Sequence, residues 1–147
     1  MEQEKYTQRV LNILQSAQQN AALHYHQEIG SLHVLLALSQ EPEGLLGTIF
    51  QELNVDIRML QASLEAALRK IPSVKGQDRL TMSIELGRVM AKAEQLAHKL
   101  GDSYISTEHL LWAICSDGGE EAQEICKSFG ITSSKVESSI KKNRKQN

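Results

Sequence analysis

Few residues in this chain are equipped for covalent or metal chemistry. Cys115 and Cys126 stand 11 positions apart, with no CxxC and no histidine pair at zinc spacing, so two buried thiols in a helical core are expected. His24 and His26 lie two apart and would point away from each other on a helix. No HExxH is present, and neither is a GxSxG elbow. No Gly-Lys pair occurs anywhere, so the phosphate-cradling GxxxxGK[ST] loop is absent and the chain cannot hydrolyse ATP by that route. A hydrolase would have to be built on Cys115 or Glu108. Four cations crowd into Lys141-Lys142-Asn143-Arg144-Lys145, where they suit a helix C-terminus running into a frayed linker. Tyr104 precedes a helix, and an aromatic exposed there would suit an apolar guest.

Composition narrows the classes further. Of 147 residues, 41% are hydrophobic and 23% charged, as in a globular domain of this length. The formal charge is -2 and aromatics are only 4%, which gives no pull toward nucleic acid or an anionic membrane. No apolar run reaches the roughly 20 residues of a membrane span, and the polar Met1-Glu2-Gln3-Glu4-Lys5 is unlike a secretory signal. A reducing, cytoplasmic setting is expected.

The positioning elements are helical. Val10, Ile13, Leu14, Ala17 and Ala21 make one stripe, from an N-cap at Thr7 to an end near Tyr25. Ser31 is expected to cap a short helix carrying Val34, Leu35 and Leu38, broken at Pro42 and Gly44. A third helix runs from about Leu45 to Leu53 with a left-handed exit at Asn54. Asp56 caps a fourth with Ile57, Leu60, Leu64 and Leu68 inward, stopped by Pro72. Residues 72–82 read as a loop. Ser83 then caps a long helix whose buried face is Val89, Ala93, Ala97 and Leu100, with Leu96 at its partly exposed border and Gly101 as its stop. No stretch alternates like a strand.

A shift of 76 lays the chain on itself without a gap over about 55 positions. Val10 meets Leu86, Ile13 meets Val89, Ala17 meets Ala93, and Leu53-Asn54-Val55 meets Phe129-Gly130-Ile131. Ile29-Gly30-Ser31-Leu32-His33 meets Ile105-Ser106-Thr107-Glu108-His109, which points to one structural task shared by His33 and His109. The expected fold is all-α: eight helices as two tandem four-helix repeats in a pseudo-two-fold arrangement. Residues 1–147 form one domain, with repeat 1 over about 6–70, the loop 72–82, repeat 2 over about 83–141 and a basic tail 141–147. The copies are expected to pack along their long first helices, with a binding groove at the seam.

The duplicate, with Ile105-Ser106-Thr107-Glu108-His109-Leu110-Leu111 opening its second half-motif, resembles the amino-terminal domain of Clp ATPases over about residues 5–141. Ile71-Pro72-Ser73-Val74-Lys75-Gly76 and Gly101-Asp102-Ser103-Tyr104-Ile105-Ser106 look most like the ClpB type, the disaggregating chaperone. The resemblance implies a non-catalytic module that captures exposed apolar segments of unfolded or aggregated proteins for a hexameric AAA+ ring. ATP would bind only in modules beyond residue 147. It maps substrate handling onto Thr7, Asp102 and Glu108, with Leu96 in an apolar groove and His109 at the next groove position. Each also has a plain structural reading: Thr7 as a helix cap, Asp102 bonding loop amides, Glu108 at a helix N-terminus. The alternative is a docking domain for adaptor proteins, as in the ClpC type. There, paired acids are associated with phosphorylated arginine, and Leu32 stands where the first of the pair would be.

Overall fold

The computed structural model describes residues 3–76 and 79–145. A short 3-10 turn (Gln3–Lys5) leads into α1 (Gln8–Leu23), β1 (Glu28–Ile29), α2 (Ser31–Gln40), α3 (Leu45–Glu52) and α4 (Ile57–Arg69). The second half holds β2 (Thr81–Met82), α5 (Ile84–Lys99), α6 (Thr107–Asp117), α7 (Glu120–Ser128) and α8 (Ser133–Lys145). The fold is all-α, with eight α-helices among the described residues. Gln77 and Asp78, in the expected loop, and the tail's Gln146 and Asn147 lie outside the described residues. The basic segment is not a frayed linker as far as it is described, because α8 continues through Lys145.

The 76-residue shift is physical as well as textual. Thr7 Oγ1 accepts the Val10 amide at 3.2 Å, and Ser83 Oγ accepts the Leu86 amide at 3.1 Å. Both long helices end in a left-handed residue, Tyr25 (φ 56°) and Gly101 (φ 75°), as do α3 and α7 at Asn54 (φ 55°) and Gly130 (φ 75°). The same wrapping bonds follow: His26 N–H to Ala21 O at 2.9 Å and Asp102 N–H to Ala97 O at 2.8 Å. Tyr25 has a side chain where the second copy has glycine, so the turn geometry is kept at a position of some backbone strain.

The seam does not run along the long first helices. Between repeats, α2 packs on α6, α3 on α8 and α4 on α7. The reason lies in the helix faces. α1 buries one stripe, Val10, Ile13, Ala17 and Ala21, and packs chiefly on α2. α2 has no solvent face: Val34, Leu35, Leu36, Ala37 and Leu38 are all buried, as are Leu110, Leu111, Ala113 and Ile114 of α6. A helix apolar on every side needs neighbours on every side, so these two form the centre.

Two-residue strands tie the halves together, although the sequence shows no strand alternation. β1 and β2 pair in parallel, Glu28 with Thr81 and Ile29 with Met82, and Ser83 N–H donates to Ile29 O at 2.9 Å. The other half mirrors this: Tyr6 bridges Ile105, and Thr7 N–H donates to Ile105 O at 3.0 Å. This linkage moves a cap. Ile29 is held extended, so Gly30 rather than Ser31 becomes the N-cap of α2, and Ser31 is its first helical residue, buried with no hydrogen bond to Oγ. Leu96 is corrected too. With Leu86, Val89 and Ala93 it makes the centre of the α5 stripe and is 1% exposed, whereas Leu100 lies half-buried at the helix end.

Tyr6 and its repeat counterpart Met82 give a direct comparison, at 8% and 42% exposure. Tyr6→Ala is expected to lower stability by about 3 kcal/mol in urea unfolding, as loss of a buried ring does. Met82→Ala should cost under about 1 kcal/mol. Equal losses would mean that the two bridges are packed alike.

Candidate functional site

The third residue of α2 and of α6 is a histidine, and each turns back onto its own helix entrance. Gly30 N–H donates to His33 Nδ1 at 2.9 Å, and Ser106 N–H donates to His109 Nδ1 at 2.9 Å. An imidazole here does what a Glu or Gln does in a capping box. With Nδ1 accepting, the neutral ring carries its proton on Nε2 and donates outward. The shared structural task expected from the repeat is thus visible as geometry.

What receives that proton differs between the copies. In the first, His33 Nε2 meets His26 Nδ1 at 2.8 Å, and His26 passes a hydrogen bond to the Leu68 carbonyl. Both rings are buried. Burial and the neighbouring His26 and His24 hold His33 down to about 4, and burial lowers His26 as well. A proton on His33 Nδ1 would face the Gly30 amide, so the relay works only when neutral. His24 and His26 stack with centroids 5.3 Å apart. They do so because α1 ends at Leu23, which frees both from helical spacing.

In the second copy the receiver is a carboxylate. His109 Nε2 donates to Asp102 Oδ2 at 2.8 Å, and Asp102 Oδ1 accepts from Arg144 of α8. The same guanidinium lies 3.6 Å from Glu108 Oε2. Asp102 therefore bonds side chains rather than the loop amides expected for it. Thr7 caps α1 one residue from the Tyr6–Ile105 bridge. Tyr104, just before Ile105, is 56% exposed, and with Asp102, Ile105 and His98 it lines a shallow hollow of about 160 Å³. The fold thus gathers Thr7, Asp102, Tyr104 and Glu108 around one junction. Leu96 and His109 are in the core, so neither meets solvent as expected for a groove residue.

A larger hollow, about 640 Å³, lies between the two copies, around the entrance of α2. Ser83, Leu32 and His33, the counterparts of Thr7, Glu108 and His109, line it together with Glu85, Gly119 and Glu120. Near Thr7 the corresponding positions carry Arg9 and Glu43, which pair at 3.5 Å, where the hollow has Glu85 and Gly119. A groove at the seam is what the duplication leads one to expect, and this hollow lies between residues of both repeats; what sequence reading missed is Arg144. The 76-residue shift carried the signal for Arg144, since it sets this residue against Leu68, one of the inward positions of α4.

The geometry does not favour hydrolysis. A hydrogen bond with Cys126, together with burial, pushes the Cys115 thiol up, leaving it protonated and a poor nucleophile. Glu108 is buried beside Arg144. Among the described residues no group of three or more His, Cys, Asp or Glu is placed to hold a metal, and no helix is long and apolar enough to cross a membrane.

An eight-helix duplicate with histidine-closed entrances defines a repeat domain of the Clp class. The model of the Clp repeat N-terminal domain matches residues 5–142, and the chain belongs to this family. It is 38% identical over 124 residues to the chaperone protein ClpB of Bacillus cereus, an alignment covering 82% of this chain and 14% of that protein. The chain thus spans about one seventh of that relative. Its fold matches the Hsp104 N-terminal domain from Candida albicans with a TM-score of 0.80 at 23% identity, covering 92% of this chain and 89% of the other. A ClpV N-domain solved in complex with a VipB peptide matches with a TM-score of 0.70 at 14% identity, covering 90% and 82%.

The depressed His33 gives a pH dependence of known sign. Between the ordinary histidine value near 6.5 and about 4, the unfolded chain binds more protons than the folded one. Stability is therefore full above about pH 6.5 and falls as pH drops through that window. Urea unfolding should lose about 2 kcal/mol between pH 7 and 5, and His33→Gln should flatten the dependence. An equal slope in the variant would show that the ring titrates normally.

Proposed function

We propose that this chain is a substrate-capturing amino-terminal module of a ClpB-type disaggregase. It takes exposed apolar segments of unfolded or aggregated proteins, and the AAA+ ring of such a protein would then engage them. The observation that carries this is Tyr104: a half-exposed aromatic at the rim of a shallow hollow, with Asp102 beside it and the Thr7–Ile105 bridge behind it. An aromatic with one face in solvent offers a large apolar contact to any partner side chain, without demanding a sequence. With its Arg144 contact released, the Asp102 carboxylate would accept amide hydrogens from an extended segment. A hollow of this size encloses about one side chain, so affinity should be micromolar or weaker. That a ClpV N-domain of the same fold takes a VipB peptide supports a peptide-like partner.

The measurement is fluorescence anisotropy of a labelled, permanently unfolded model protein. Tyr104→Ala should weaken binding about fivefold or more while leaving the melting temperature within about 2 °C. Unchanged binding by a folded variant would remove Tyr104 from the contact. Leu96→Asp is no test, because a charge at that buried position would unfold the domain.

A further inference from the structure

We propose that Arg144 is a clasp: the last described turn of α8 holds the Asp102 and Glu108 carboxylates and must release them before a client reaches them. This rests on the proposed client capture at Asp102, with Glu108 given the same role only by the family resemblance. Both oxygens of Asp102 are engaged, Oδ2 by His109 and Oδ1 by Arg144, and Glu108 Oε2 faces the same guanidinium at 3.6 Å. The two carboxylate side chains are only 15% and 10% exposed. Something must leave if they are to meet a client. His109 is not that group. Its ring is fully buried, and its bond has a structural counterpart in His33 to His26 of the first copy. Arg144 is the movable partner, with a side chain 36% exposed at the end of α8.

In the first copy the positions of Asp102, Glu108 and Arg144 are held by His26, Leu32 and Leu68, and Leu68 is 1% exposed. A leucine buried at the Arg144 position has no reason to leave for water. The second copy uses ion pairs, which solvent and salt weaken. The clasp is also incompletely satisfied, since Arg144 Nε is buried with no hydrogen-bond partner. The rest of α8 stays anchored without it: Val136 and Ile140 are in the core, Lys142 pairs with Glu52 at 3.2 Å, and Lys99 pairs with Glu137 at 2.9 Å. Release therefore frees the carboxylates and the final turn while leaving the helix in place.

The test uses the 147-residue chain and an end-capped, uncharged peptide of aromatic and aliphatic residues carrying a dye. Anisotropy should show Arg144→Gln binding about fivefold more tightly than wild type, with Arg144→Lys within about twofold of wild type because the cation is kept. Adding Asp102→Asn to Arg144→Gln should abolish the gain. Hydrogen exchange at the amides of residues 141–144 should quicken in Arg144→Gln, and in wild type once peptide is added. Far-UV circular dichroism confirms that each variant is folded. If wild type binds, Tyr104→Ala weakens it and Arg144→Gln binds no better, the clasp is wrong while client capture stands. If neither wild type nor Arg144→Gln binds, both fail together.

Discussion

Each copy's long helix begins on the other copy's backbone. Thr7 N–H donates to Ile105 O and Ser83 N–H to Ile29 O, and in each case the donor residue also caps its helix with its side chain. Two of the four N–H donors that a helix start leaves open, those of the cap and of the third helical residue, are thus satisfied at one point per copy. The exchange fixes more than the caps. By holding Ile29 and Ile105 extended, it sets where α2 and α6 start, and so which residue is third in each helix. That residue is a histidine both times, turned back to its own entrance and outward to a residue at the end of the preceding turn. A one-residue slip in either bridge would move the histidine off its amide and rotate the all-apolar helix behind it. The central α2–α6 packing therefore depends on two short backbone contacts that contribute little area of their own.

The two entrances then diverge at their outer positions. His26, Leu32 and Leu68 close the first with neutral rings and apolar side chains. Asp102, Glu108 and Arg144 close the second with charges. Both arrangements satisfy Nε2 of the third-position histidine, so both are compatible with the same backbone. Their responses differ. The first is stable while its rings stay neutral and is disturbed by acid. The second is held by ion pairs and so is sensitive to whatever competes for its carboxylates. Duplication allows this division, since the outer positions can differ while both backbone bridges are kept.

The helices were legible because their signals are local. Thr7, Asp56 and Ser83 cap where a side-chain oxygen precedes an apolar stripe, and Asn54, Gly101 and Gly130 mark left-handed exits. What was not legible depended on contacts between distant segments. Ser31 was a sound cap by type, but the Ile29–Ser83 bond handed the position to Gly30. Leu96 was placed at a border because its stripe was drawn through Leu100, and the packing of α5 on α6 centres that stripe one residue earlier. The seam was assigned to the most strongly periodic helices. Periodicity marks a helix with a solvent face, whereas α2 and α6, with no such face, belong in the middle.

The gathering of Thr7, Asp102, Tyr104 and Glu108 follows from the same logic. These residues are spread over about a hundred positions, and none touches another along the chain. The Thr7–Ile105 bridge brings the start of α1 to the start of α6, the His109–Asp102 bond draws in the turn after α5, and Arg144 adds the end of α8. The hollow beside Tyr104 is therefore the outer side of a structural junction. That explains why the exposed aromatic stands outside the core cluster rather than in a cleft. A surface of this kind is suited to brief contacts with many segments, and the charged residues at its edge are the part of it that can move without loosening the fold.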